Sequence, residues 1–144
     1  MVVSLIVHGP PRGKGRPRFT RTGRVFTDAK TAEYEGRVKR AGIDAMAGRE
    51  PLLEPCWVKV TAYLPVAKSL PKKERARRFS GERRPCQLPD LDNIAKAVLD
   101  GLNGVVFLDD RQVCAIASQK FYGEPPRVEV SVGCCGGEKN DRSE

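Results

Sequence analysis

The sequence is poor in the side chains that build many familiar active sites. It holds one histidine, one tryptophan and two methionines in 144 residues. A single imidazole excludes any centre made from paired histidines. His8 closes a short alternating run and reads more simply as a strand-end residue than as a general base. No apolar run approaches the roughly 20 residues of a membrane span, and no basic stretch leads into a long apolar one at the N-terminus. The expected compartment is therefore the cytoplasm. Five cysteines without C-x-x-C spacing fit free thiols better than a disulfide framework. A zinc site would need widely separated ligands, since Cys134 and Cys135 are adjacent and His8 is alone. A nucleotide P-loop is also excluded at Gly9 to Gly15: three residues separate Gly9 from Gly13 where four are needed, and Gly15 replaces the Mg2+-binding hydroxyl residue.

Acidic residues are the minority, with 18 Asp and Glu against 26 Lys and Arg and a net charge of +8. That balance favours a polyanionic partner, nucleic acid ahead of an anionic membrane. The length suits one domain with a real core. Val2 to His8 alternates as a strand, with Val3, Leu5 and Val7 on one face. Thr27 or Asp28 can cap a helix that runs to about Ala47, with Tyr34, Val38, Ala41 and Ala45 as its buried stripe and Gly48 as its stop. Gly36 and Gly42 weaken that helix and allow another backbone to come close. Trp57 to Leu64 reads as a second strand, Gln112 to Phe121 as a third and Arg127 to Val132 as a fourth. If helices cover only one face of the sheet, Trp57 and Tyr63 can reach a subunit interface, and burial within the same subunit is an equal reading. The expected fold is α+β: a single domain with a mixed sheet of about four strands and two main helices, in the order β-α-β-α-β-β, over residues 1–133. Residues 134–144 are expected to form a flexible tail.

Two basic excursions interrupt this frame. Residues 9–24 carry Arg12, Lys14, Arg16, Arg18, Arg21 and Arg24 with no acid, which suggests a phosphate-contacting loop. Phe19 within it can stack on a base or simply anchor the loop. Residues 65–88 hold eight cations, including Lys72, Lys73, Arg77 and Arg78, against Glu74 and Glu82. Ser69 to Glu74 can begin a short helix that Ser80-Gly81 must end. A run of this kind is commonly just solvated, but its place directly before an acidic stretch favours contact with nucleic acid.

That stretch is Pro89 to Arg111, P-D-L-D-N-I-A-K-A-V-L-D-G-L-N-G-V-V-F-L-D-D-R. Asp90 and Asp92 open a helix whose apolar stripe is Leu91, Ile94, Ala95, Val98 and Leu102. Asp109 and Asp110 close the segment before a strand. Capping and turn chemistry can explain each aspartate singly. Concentrated in a basic chain, the four can also cradle a hard divalent cation such as Mg2+, which takes oxygen ligands from one or two carboxylates plus phosphate. Both readings stand on the residues alone. A calcium loop does not, because Ile94, Ala95 and Gly101 occupy positions that need an oxygen ligand, a glycine and a glutamate. Lys96, four residues after Asp92, is either its helical ion-pair partner or a reactive cation. Convergence of Asp110 with Asp92 requires an extended return after Gly104.

The run P-D-L-D-N-I-A-K-A-V-L-D-G-L-N-G, followed by L-D-D-R-Q-V, resembles the RusA family of Holliday-junction resolvases. The likeness is strongest from Pro89 to Val113 and extends loosely through G-R-P-R and the strand patterns. It implies a small homodimeric, Mg2+-dependent endodeoxyribonuclease of DNA recombination and repair, common in phages and prophages, that resolves four-way junctions by paired nicks. By motif, Asp90, Asp92 and Asp110 match the family's metal-binding catalytic aspartates and Lys96 its active-site lysine, with Asp109 a weaker match. The alternatives are a non-catalytic nucleic-acid-binding module and a nuclease acting on flaps, forks or RNA.

Overall fold

The computed structural model describes residues 1–15, 18–26 and 28–136, with the backbone alone at 18, 19, 25 and 26. Strand β1 (Val2–His8) leads through a short antiparallel hairpin, β2 (Arg18–Phe19) and β3 (Val25–Phe26), into helix α1 (Ala29–Met46). Strand β4 (Cys56–Leu64), helix α2 (Lys72–Phe79) and helix α3 (Leu91–Leu102) follow. A single 3-10 turn (Asp110–Gln112) then opens strand β5 (Val113–Tyr122), and β6 (Arg127–Cys134) comes last. The four long strands form one mixed sheet in the order β1-β6-β4-β5, antiparallel except for β4 beside β5. The expected α+β order is present, with short α2 as a third helix. Residues 9–24, read as a flexible loop, contain the first strand and the turn of the small hairpin, whose second strand follows at Val25–Phe26. Strand β6 runs on to Cys134, so that residue lies in the sheet, while 137–144 are outside the described residues.

Alternation decides which side of each strand is dry. Val3, Leu5 and Val7 of β1, Val58, Val60, Ala62 and Leu64 of β4, and Val128, Val130 and Val132 of β6 are all buried. They join Tyr34, Val38, Ile94, Val98 and Leu102 of the helices in one core. Every one of these side chains gains free energy by leaving water, on the order of 1.5–3 kcal/mol for a full Val, Leu or Ile. The helices therefore cover one face. The opposite face carries Val2, Ile6 and Lys59 exposed and Trp57, Thr61 and Tyr63 half-buried. Across it, the Arg127 guanidinium stacks on Tyr63, Tyr63 on Phe121, and Arg84 on Phe121.

Helices α1 and α3 touch through glycines. A Cβ at Gly42 would lie 2.7 Å from Leu102 Cδ2, and one at Gly101 would lie 2.7 Å from Val38 Cβ and 3.0 Å from the Glu35 carbonyl. The buried stripe of α1 is accordingly Thr31, Tyr34, Val38, Gly42 and Met46. Ala41 and Ala45, expected within it, are only partly buried at its edge. Gly36 admits no close neighbour, with nothing within 4 Å of its Cβ position. Asp28 is the N-cap residue of α1 but makes no side-chain capping bond, and Thr27 lies outside the described residues. The helix ends at Ala47 with φ of 50°, one residue before Gly48.

These two kinds of glycine should respond oppositely to a methyl group. Gly101→Ala is expected to cost about 1–3 kcal/mol in urea unfolding, because it overpacks a closed crossing. Gly36→Ala should stabilise by roughly 0.5–1 kcal/mol through helix propensity alone. Equal effects of the two substitutions would contradict this account of the crossing.

Candidate active site

Helix α3 begins where the second basic excursion docks on the sheet edge. On the inner side of β5, Ile116, Ser118, Lys120 and Tyr122 share a face with Val58, Val60, Ala62 and Leu64 of β4. Lys120 Nζ donates to the carbonyls of Gln87 at 2.9 Å and Pro89 at 3.2 Å, directly ahead of Asp90. Tyr122 Oη donates to Gln87 Oε1 at 2.7 Å, and Arg84 Nε donates to the Lys120 carbonyl at 3.1 Å. Three side chains thus stitch residues 84–89 to β5 and set where α3 starts. Asp90 is the N-cap residue, yet its carboxylate makes no capping bond. Asp92, in the first turn, accepts only from the adjacent Asn93 amide among the described hydrogen bonds, at 3.0 Å. Simple capping therefore accounts for neither carboxylate.

The chain returns from α3 through a reversal at Gly104, whose φ of +79° suits glycine. Val106 and Phe107 behind it are wholly buried. The Leu52 amide donates to the Val106 carbonyl at 2.8 Å, and the Leu108 amide to the Leu52 carbonyl at 3.2 Å. The return is made by a tight turn, with the Val105 and Val106 amides donating to the Leu102 carbonyl, and by single bridges from Phe107 to Leu52 and Asn103, where an extended segment was expected. Asp109 and Gln112 then form a reciprocal cap: the Arg111 amide donates to Asp109 Oδ1 at 3.0 Å, and the Asp109 amide to Gln112 Oε1 at 2.9 Å. The Arg111 amide holds the Asp109 carboxyl below the usual carboxylate range. Gln112 Nε2 also donates to the carbonyls of Leu52 and Glu54, at 2.8 and 3.0 Å, pinning the turn to the chain before β4. The two neighbouring aspartates are thus divided by geometry. Asp109 is occupied in a cap, and Asp110 faces a pocket.

That pocket, about 540 Å³, runs between α3 and the inner side of β5. Asp92, Ala95 and Lys96 line it from the helix, Ile116 and Ser118 from the strand, and Asp110 from the turn. Two carboxylates and an ammonium separated by 110 − 92 = 18 positions of sequence share one concavity. Among the described residues no ion pair joins Lys96 to Asp92. Lys96 is thus available to a ligand. Asp90 stands two residues away, exposed and outside the pocket lining. No group of three or more His, Cys, Asp or Glu among the described residues is arranged to hold a metal by itself. Two carboxylate donors do suit a hard divalent ion that completes its shell with water and phosphate oxygens.

The expected DNA-contacting cations separate into free and engaged ones. Arg12, Lys72, Lys73 and Arg77 are exposed, and none of them enters an ion pair among the described residues. Lys14 departs from the reading of six cations without a counterion: its ammonium bonds to Asp100 and lies 3.3 Å from Glu35 Oε2. The bond to Asp100 raises its pKa, outweighing the opposite pull of burial. Its amide donates to the Asn93 carbonyl at 3.0 Å, and Gly13 beside it packs on Asn93 and Pro89. Arg78 pairs with Glu74 at 3.4 Å and lies over the Tyr122 ring. Arg16 is outside the described residues, as are the side chains of Arg18 and Phe19.

Sequence reasoning passed over Lys120, Asp100 and Gln112. A lysine on the inner side of a strand was the available signal for the first, and the D-x-x-Q spacing from Asp109 for the last. Asp100 sits on a polar helix edge with nothing in sequence to mark its distant partner.

Comparison with known proteins gives the family. The family model "Endodeoxyribonuclease RusA" matches residues 8–133. A relative in Bacillus subtilis (strain 168), the uncharacterized protein YqaN, is 34% identical over 134 residues, covering 90% of this chain and 94% of its own length. The matched span takes in both basic excursions, the α3 aspartates and the turn with Asp110, and the chain belongs to the RusA family of endodeoxyribonucleases, the Holliday-junction resolvases.

Proposed function

We propose that this chain is a cytoplasmic, Mg2+-dependent, homodimeric resolvase that cuts four-way DNA junctions by paired nicks during recombination and repair. The observation that carries the proposal is the meeting of Asp92, Lys96 and Asp110 in one pocket. Asp92 and Asp110 would hold the metal, with Asp90 as a third carboxylate at the rim. When bound there, Mg2+ supplies Lewis-acid polarisation of the phosphodiester and a more acidic attacking water. The chain's own part is electrostatic and geometric. Lys96 places a positive charge where negative charge grows on the phosphoryl group. Lys120 holds the peptide that presents Asp90. Arg12, Lys72, Lys73 and Arg77 attract the backbone and hold it against the site. Lys14 belongs instead to the scaffold, tying the first basic loop to α1 and α3. Two symmetry-related copies provide two cuts, and the uncovered sheet face, with Ile6, Trp57 and Tyr63, offers a surface on which copies can pair.

Asp92→Asn should abolish nicking of a synthetic four-way junction in Mg2+, while binding in chelator stays equal or tightens because a charge near phosphate is gone. Lys96→Ala should lower turnover by about 100-fold or more with affinity little changed. Full cutting by the aspartate variant would refute the metal role, and unchanged turnover would return Lys96 to the surface.

The two classes of lysine should also separate. Lys14→Met should lose about 1–2 kcal/mol of stability in urea, since two partly buried carboxylates are left without their cation. Lys72→Ala and Lys73→Ala should keep stability within about 0.5 kcal/mol and flatten the salt dependence of junction binding by about one unit of slope each. Lys14→Met with full stability and a flattened slope would reverse the assignment.

A further inference from the structure

Four of the five cysteines meet at one end of the sheet. Cys56 opens β4, its register partner Cys134 ends β6, Cys114 is the second residue of β5, and Cys135 follows β6. All are free thiols. The sulfurs of Cys114 and Cys135 lie 2.7 Å apart, in direct contact. Backbone holds both partners in place: the Cys135 amide donates to the Pro55 carbonyl at 2.8 Å, and Cys114 Sγ reaches the Cys56 carbonyl at 3.4 Å. The neighbouring thiols are directed elsewhere, Cys56 to the Glu54 carbonyl at 3.1 Å and Cys134 to Glu54 Oε2 at 3.7 Å. Sulfurs in contact leave no gap for a metal ion between them. Cys114 is exposed, Cys135 partly so, and Cys56 is buried. A reagent in solution can therefore reach the touching pair and not the thiol beneath it. The hydrogen bond with Cys114 pushes the Cys135 thiol up to about 11. Cys114, the more exposed of the touching pair, is the sulfur that a reagent meets first.

We propose that Cys114 and Cys135 are a thiol–disulfide pair, closed into an intrachain disulfide by a low-molecular-weight disulfide and strapping the start of β5 to the chain just beyond β6. The Cys114 thiolate attacks one sulfur of the small disulfide, forming a mixed disulfide and releasing one small thiolate, which takes up the proton that Cys114 gave up. The Cys135 thiolate then attacks the Cys114 sulfur and releases the second small thiol, which takes the Cys135 proton. Two protein thiols are oxidised to one disulfide, and one small disulfide is reduced to two thiols. Because β5 starts 113 − 110 = 3 positions after Asp110, the strap ties the corner that carries this aspartate to the far strand. The proposal does not rest on the nuclease reading, and its test uses no DNA.

The full chain is incubated with glutathione disulfide, quenched in acid, denatured, alkylated and mapped by mass spectrometry. The expected result is a cross-linked peptide joining Cys114 to Cys135, with two hydrogens lost and Cys56, Cys86 and Cys134 alkylated. The thermal midpoint should rise by several degrees over the reduced chain. Cys134→Ser should still cross-link, and Cys114→Ser should lose both the cross-link and the shift. Glutathione left on Cys114 without a 114–135 link, or a link through Cys134 instead, would overturn the pairing.

Discussion

The crossing of α1 and α3 at Gly42 and Gly101 is the contact on which the site depends. Missing side chains at these two positions let Leu102 and Val38 seat against the opposite helix, and that close approach fixes the C-terminal half of α3 in the core. The N-terminal half can then carry a polar composition that contributes little burial. Two aspartates at its start and a lysine in its second turn gain nothing from burial, and they are held in place by a helix already anchored elsewhere. Lys120 supplies the second point of attachment, through the carbonyls just ahead of Asp90. A rigid element fixed at both ends keeps exposed charged groups in a defined arrangement without requiring those groups to stabilise it.

Much of this was legible because burial imposes period. Strands β1, β4 and β6 show in the sequence as alternating apolar positions, since each has one dry face. Helix α3 shows as a stripe of Leu91, Ile94, Ala95, Val98 and Leu102. Strand β5 is less clear, since its exposed Cys114, Ala115, Ile116 and Ala117 belong to an edge strand with little alternation in burial. The β2–β3 hairpin was missed because two-residue strands carry no period at all. Gly42 reads as a weak point that admits a close neighbour, but the neighbour itself, Leu102, is sixty positions away. The engagement of Lys14 was hidden for the same reason: its partners Glu35 and Asp100 are distant in sequence, so the loop looked uniformly free of counterions.

Local and distant signals also divide the aspartates. Asp109 and Gln112 satisfy a cap whose spacing is visible in the chain. Asp110 acquires its place only through the return of Val105 to Leu108 against Leu52. The family likeness marked Asp90, Asp92 and Asp110 together. In the fold, Asp92 and Asp110 line the pocket and Asp90 lies outside its lining.

The sheet topology explains why such a site can accept a bulky polyanion. Parallel pairing of β4 with β5 requires a long crossover, and here the crossover comprises the second basic excursion followed by α3. The excursion that carries Lys72, Lys73 and Arg77 therefore runs directly into Asp90 and α3. Because β5 is the edge of the sheet, the groove between it and α3 has only one strand behind it and opens sideways. A crevice between central strands would be closed by neighbours on both sides and would admit a nucleotide but not a duplex. On the function proposed above, an acidic groove at an edge, at the end of a basic crossover, would let the positive surface draw the backbone in and would leave the few carboxylates that repel it where a cation compensates them.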